Sequence, residues 1–156
     1  MILKVGIAQY KVGFEGDFLV AQALGSCVGV VLYDHRLRIG GLAHVLLPRP
    51  LNGAAVPSGK FAVAAIPALV AKIEKACQQK PRLKARLVGG ANMFGRGMEK
   101  QGVGLRNITV SREVLKELKI PVTGEDVGGT WARSVELEVA TGCLRVTSCK
   151  EGVVEL

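Results

Sequence analysis

The chain has 156 residues, 49% of them apolar and only 4% aromatic, with 20 glycines and a net charge of +8 from 21 basic and 13 acidic residues. That length is one domain, residues 1–156, with room for a core built from Val, Leu, Ile and Ala, and the apolar content excludes a disordered chain. No apolar run reaches the roughly 20 residues that a bilayer span needs, and the start shows no leader pattern, so a cytoplasmic protein without membrane insertion is predicted.

The positive charge calls for an acidic partner. Its densest group, "KPRLKAR" at 80–86, reads as a helix end and loop, and no Lys/Arg patch is interleaved with aromatics, which argues against nucleic acid. Cys27, Cys77, Cys143 and Cys149 form no C-x-x-C pair, and the two histidines do not complete a zinc site. The chain therefore reads as having free thiols, no metal and no cofactor.

Residues 2–8, "ILKVGIA", read as a first strand, and residues 17–24 as a second that breaks at Gly25-Ser26. "CVGVVLY" at 27–33 is a β-branched strand bounded by Asp34, and "RIGGLAHVLL" at 38–47 is another, ended by Pro48. The stretch 48–58 is rich in proline, a loop whose length fits a lid or binding loop. Ala62, Ile66, Leu69, Val70, Ile73 and Cys77 repeat with the helical period over 61–78, with Ser58 as N-cap and Pro67 as a kink or first-turn residue. Residues 83–88 are a buried strand that enters a long glycine-rich loop, 89–107. A second helix runs from about Thr109 to Lys119, with Val110, Val114, Leu115 and Leu118 on one face. "SVELEV" and "LRVTS" flank "ATGC" as a hairpin.

Cys27 and His44 stand out. With "DHRL" (34–37) as a symmetric turn centred between His35 and Arg36, the two flanking strands pair Cys27 directly with His44, Cβ atoms about 4.5–5.5 Å apart. A lone cysteine in an apolar run is usually core, and a lone buried histidine is usually inert. In register they make a nucleophile and its base. His44 takes the thiol proton, the thiolate attacks an amide or ester carbonyl, and the imidazolium protonates the leaving group. Gly25 allows a tight turn before the nucleophile, and N–H groups around Ser26 and Cys27 can hold the oxyanion. His35 reads as a solvated turn residue.

"GGANMFGRGMEKQGVG" lacks a phosphate-loop ending. It reads either as a plain connector or as a cleft wall in which Asn92, Met93 and Phe94 touch substrate or partner. "EDVGGTWARS" at 125–134 reads equally as a turn with a Glu–Arg or Asp–Arg pair.

Six motifs now stand in order: "LGSCVGV" at 24–30, "GGLAHVLLP" at 40–48, "GKFA" at 59–62, "GGANMF" at 89–94, "VGLRN" at 103–107 and "EDVGGTWARSVELEVATGCLRV" at 125–146. Together they resemble the chemoreceptor glutamine deamidases of bacterial and archaeal chemotaxis (CheD). The resemblance implies an α+β fold, a layered sandwich of two β-sheets flanked by two main helices, similar to cytotoxic necrotizing factor-type cysteine hydrolases. It implies hydrolysis of receptor glutamines to glutamate, with Cys27 as nucleophile and His44 as base, no cofactor, and methyl-accepting chemotaxis receptors as partners. It implies the chemotaxis phosphatase CheC as a further partner. Gly25, Asn92, Met93, Phe94, Arg106 and Asn107 are the expected substrate- or partner-binding residues. The family carries a Thr six residues before the Cys, where this chain has Ala21, so orientation of His44 falls to Gln22, Ser26 or a backbone carbonyl. A polar residue three positions after the "GK" lysine is replaced by Val63. The alternative is a non-catalytic regulator that binds a receptor or CheC through the same surface.

Overall fold

The computed structural model describes residues 1–51, 59–94 and 102–156. Among them are ten strands and two helices: β1 (Ile2–Lys4), β2 (Tyr10–Gly13), β3 (Phe18–Leu24), β4 (Val28–Asp34), β5 (Ile39–Val45), α1 (Ala62–Ala76), β6 (Lys84–Gly89), α2 (Val103–Glu117), β7 (Val122–Val127), β8 (Arg133–Glu138), β9 (Cys143–Ser148) and β10 (Gly152–Glu155). One sheet has the order β1-β3-β8-β9-β10 and the other β2-β5-β4-β6-β7. This is the expected α+β sandwich. Both helices pack on the second sheet, so the order of layers is helices, second sheet, first sheet.

β4 and β5 are buried along their whole length. Their side chains alternate between two cores. Val30, Leu32 and Val45 meet Ile66, Leu69, Ile73 and Leu115 under the helices. Val31, Tyr33 and Leu42 meet Leu19, Leu137 and Leu144 between the sheets. The apolar stripe read over the first helix is buried at Ala62, Ile66, Leu69 and Ile73. Pro67 sits inside α1. A proline there costs about 3 kcal/mol or more, and burying Ile66, Leu69 and Ile73 at about 1.5–3 kcal/mol each offsets it. The helix begins after Phe61, and Ser58, the expected cap, lies outside the described residues, as does most of the 48–58 loop.

Three local readings change. The first apolar run is not one strand: β1 stops at Lys4, and a turn follows in which the Gln9 side chain accepts from the Gly6 N–H at 2.9 Å and Ala8 has φ +64°. The chain thus crosses from the first sheet to β2 in the second. The second helix starts at Val103, six residues before the expected Thr109, so Arg106 and Asn107 are helical. Its N-cap, Gly102, has no side-chain oxygen to announce it, and Gly104 lowers local helix propensity. Tertiary packing decides instead, because a Cβ on Gly104 would lie 2.5 Å from the Ala91 carbonyl oxygen. Finally, β7 runs parallel to β6 and β10 pairs antiparallel with β9, both beyond the elements read from sequence.

Candidate active site

The β4–β5 hairpin pairs Gly29 with His44 and Asp34 with Ile39. The turn is one residue further along than "DHRL". Asp34 is the last strand residue, and its carboxylate accepts from the N–H groups of Arg36 at 2.8 Å, Leu37 at 3.1 Å and Arg82 at 2.6 Å. Arg38 then adopts a left-handed φ of +48° to re-enter the sheet. The effect is a slip of two positions in the pairing: His44 faces Gly29, not Cys27. A slip of two preserves the face. Cys27, in the bend just before β4, still points between the sheets, where it packs in the same cluster as Val31, Tyr33 and Leu42. The two candidates are diagonal neighbours on one face instead of a directly opposed pair.

His44 is 3% exposed and is clasped by the chain between β1 and β2. Its backbone N–H donates to the Gln9 carbonyl at 2.9 Å, and its carbonyl accepts from the Ala8 N–H at 2.9 Å. The ring Nδ1 lies 3.1 Å from the Val5 carbonyl oxygen. A carbonyl accepts only, so Nδ1 carries the proton and Nε2 has a bare lone pair. Nε2 is buried and has no hydrogen-bond partner among the described residues. Val5 is anchored in turn, its N–H donating to the Val20 carbonyl of β3 at 2.7 Å. Orientation of the imidazole therefore comes from a backbone carbonyl, beside a β3 in which Ala21 offers no hydroxyl. Gln22 is exposed, and neither its side chain nor that of Ser26 is bonded to the ring. No sequence signal marks a main-chain carbonyl for this role.

Burial pushes the Cys27 thiol above its ordinary value and outweighs the Cys27 backbone N–H, which favours the thiolate. Burial pushes His44 below its ordinary value and outweighs the Val5 hydrogen bond. The resting pair is a neutral thiol and a neutral imidazole, the form in which a base can accept a proton.

Cys27 opens on a cleft of about 700 Å³ walled by Gly25 and Ser26, by Gly90 to Phe94, by the first turn of α2 and by Gly128 to Thr130. Among the described residues its lining carries no Asp, Glu, Lys, Arg or His. The amino end of α2, whose helix dipole points its positive end here, gives the cleft a partial positive character. Asn92, Met93 and Phe94 are brought to the cleft, and Met93 packs over Gly25, where a Cβ would lie 3.2 Å from its Cγ. Met93, Phe94 and Leu105 are exposed at 48%, 92% and 43%, an apolar rim beside the thiol. Arg106 is exposed on α2, whereas Asn107 is fully buried beneath the cleft. The glycine-rich stretch beyond Phe94 lies outside the described residues up to Gln101.

The loop before β8 is fixed by Arg133, whose side chain is 1% exposed. Its guanidinium donates to Asp126 at 3.1 and 3.3 Å, to the Trp131 carbonyl at 3.1 Å and to the Gly128 carbonyl, and stacks on the Trp131 ring. Arg112 and Glu125 form a second, bidentate pair at 2.9 and 2.5 Å. Of the two pairings read for "EDVGGTWARS" as a turn, the Asp–Arg one is present as Asp126–Arg133 and shapes a cleft wall, whereas Glu125 reaches out of the stretch to Arg112 of α2.

The family model for CheD chemotactic sensory transduction matches residues 46–148. A relative from Geobacter metallireducens, "Probable chemoreceptor glutamine deamidase CheD 2", is 40% identical over 159 residues, which cover 99% of this chain and 98% of that protein. The chain belongs to the CheD family. A second CheD protein, "Probable chemoreceptor glutamine deamidase CheD" of Clostridium botulinum, is 40% identical over 157 residues, covering 99% of this chain and 97% of its own. The likeness to CheD thus runs almost end to end and takes in the segments of both Cys27 and His44. Among the described residues of this CheD chain, no helix is long and apolar enough to cross a membrane.

Proposed function

We propose that this CheD chain hydrolyses the side-chain amide of glutamines on chemotaxis receptors to glutamate, in the cytoplasm, with Cys27 as nucleophile and His44 as base. The names of its relatives supply the reaction and the substrate class. The observation that carries the residue assignment is the tautomer of His44: a bare Nε2 on the sheet face that also holds Cys27. A cleft with no charged side chain among its described lining suits a neutral carboxamide, and the apolar rim suits the side of a receptor helix.

In this mechanism Nε2 takes the Cys27 proton as the substrate seats, closing a contact that free enzymes commonly leave open. The thiolate attacks the amide carbon. Negative charge moves to the amide oxygen, which the Cys27 N–H and the amino end of α2 stabilise. Collapse expels the amide nitrogen as ammonia, which takes the proton from the imidazolium, and a thioester remains. Water attacks the thioester with His44 again as base, releasing glutamate and the thiol.

The rim also supports a second reading, a binding role toward a receptor or CheC that needs no chemistry. Incubation with a cytoplasmic receptor fragment, followed by mass spectrometry, separates the two. A gain of about 1 Da at glutamine, lost in Cys27→Ser with binding retained, supports the deamidase. Conversion at the wild-type rate by Cys27→Ser overturns the nucleophile assignment.

A further inference from the structure

Asn107 is 0% exposed, and its amide is spent on two backbone carbonyls: Nδ2 donates to Ser26 at 2.9 Å and to Leu46 at 3.0 Å. Both partners accept only, so the group facing them must be the NH2. Its Oδ1 is buried with no partner among the described residues, and so is the Ser111 hydroxyl one turn along the same helix. A buried carboxamide with one unpaired end costs about 1–3 kcal/mol, and an aliphatic residue on this packed face of α2 would avoid that cost. Packing does not account for an amide here; the two carbonyls do.

Ser26 precedes the nucleophile, and Leu46 follows His44 by two residues. The chain has no cis peptide among the described residues, so in the Ser26–Cys27 peptide the N–H points opposite to the C=O. With the carbonyl turned inward to Asn107, the Cys27 N–H turns outward, to the side of its own sulfur and the cleft. Among the described residues no backbone carbonyl accepts from it. An N–H beside a nucleophile that no carbonyl occupies is where an oxyanion is held.

We infer that Asn107 is a positioning residue, whose amide locks the Ser26–Cys27 peptide so that the Cys27 N–H faces the amide oxygen of the substrate, and which ties that peptide to the strand carrying His44. The inference rests on the deamidase reading. Asn107 touches neither substrate nor sulfur, so it acts through the peptide it holds.

The test uses the full chain in four forms: wild type, Asn107→Asp, Asn107→Ala and Ser111→Ala. Each is measured for ammonia release from a cytoplasmic receptor fragment, for alkylation of Cys27 by iodoacetamide and for urea unfolding. Both Asn107 variants lose kcat by about a hundredfold with KM within about twofold, the scale of one misdirected oxyanion donor. Alkylation, which forms no oxyanion, stays within about threefold, and Ser111→Ala keeps its kcat. Wild-type kcat in the folded Asn107 variants overturns the inference. So does an equal loss in Ser111→Ala, or an alkylation change as large as the loss of kcat, since either marks a general structural role.

Hydrogen exchange of the wild-type Cys27 amide reads the peptide without substrate. Fast exchange, against protected amides in β4, supports the orientation, and protection equal to that of β4 overturns it. This arm decides the matter where the variants fail to fold. It also separates the two readings: a wild type that releases no ammonia sinks the deamidase proposal, while the exchange result still judges the peptide.

Discussion

His44 stands across the β4–β5 ladder from Gly29, and the Val5 carbonyl, just beyond β1, holds its ring. With no side chain on Gly29, the space above it is filled by the methyls of Leu24 and Leu42, which lie 3.0 and 3.7 Å from where a Gly29 Cβ would be. Burial of the His44 ring makes its protonation unfavourable. Under the proposed mechanism His44 is thus available as base below its ordinary value of 6.5, and the acid limb of kcat/KM should fall on the acid side of that value. A pH–rate profile on a receptor fragment checks this, and an acid limb above 6.5 contradicts it.

The same two groups set how stability depends on pH. The unfolded chain binds a proton at His44 more readily than the folded one, so stability is full above about 6.5 and is lost as pH falls through the lowered folded value. Cys27 works in the other direction: its folded value is raised, so its contribution is full below about 9.0 and is lost as pH rises through the raised value. Urea midpoints across pH should decline at both ends. His44→Leu should flatten the acid decline, and Cys27→Ala the alkaline one.

Arg133 is the charged group whose removal should cost the fold most. Arg133→Met leaves Asp126 and two carbonyls without their donor, and breaking a buried pair of this kind costs about 3–5 kcal/mol. Arg133→Lys keeps the charge but cannot reach all three acceptors with one planar fork, so it should recover only part. Denaturant unfolding gives both values. Loss below 1 kcal/mol in Arg133→Met would show that the loop holds itself.

Gly90 has φ +67°, and a Cβ there would fall on the Ile108 side chain, so Gly90→Ala should be both strained and overpacked. Gly104→Ala drives a Cβ onto the backbone of Gly90 and Ala91 and should lift the amino end of α2 from the cleft wall. Each should lower the unfolding midpoint and kcat together, a pairing that Ser111→Ala should not show.

Phe94 is almost wholly exposed at the rim, and nothing in the fold needs it there. Phe94→Ser should raise KM for a receptor fragment about tenfold and leave kcat and stability unchanged, the mark of lost substrate binding. A fall in kcat with constant KM would instead place Phe94 in the chemistry.

The elements legible in the sequence were those with a strong local period. β3, β4, β5, α1 and the β8–β9 hairpin fall within a residue or two of the apolar runs that announce them. β10 escapes because all four of its residues are exposed, so no alternation is impressed on it. The start of α2 escapes because its N-cap, Gly102, carries no side-chain signal and Gly104 is required by the close approach of Gly90 and Ala91, against local propensity. The pairing of Cys27 and His44 on one face was legible from parity. Its offset was not, because the turn is set by the reach of the Asp34 carboxylate to three N–H groups. The orienting group of His44 is a main-chain atom and leaves no trace in residue identity. Asn107 was legible as a residue of interest, but its burial depends on a helix that begins earlier than its signals.

Gly40 and Gly41 lie side by side on β5. A Cβ on the first would lie 2.8 Å from Leu137 of the opposite sheet, and one on the second 2.7 Å from Leu69 of α1. The strand that carries the imidazole is thus gripped from above and below at bare backbone, where neither neighbour can shift without displacing the other. Retuning this protein toward a different target by moving the histidine would mean refitting two hydrophobic interiors at once. The economical route for evolution or engineering runs through the exposed rim of Met93, Phe94 and Leu105, while Cys27 and His44 stay where they are.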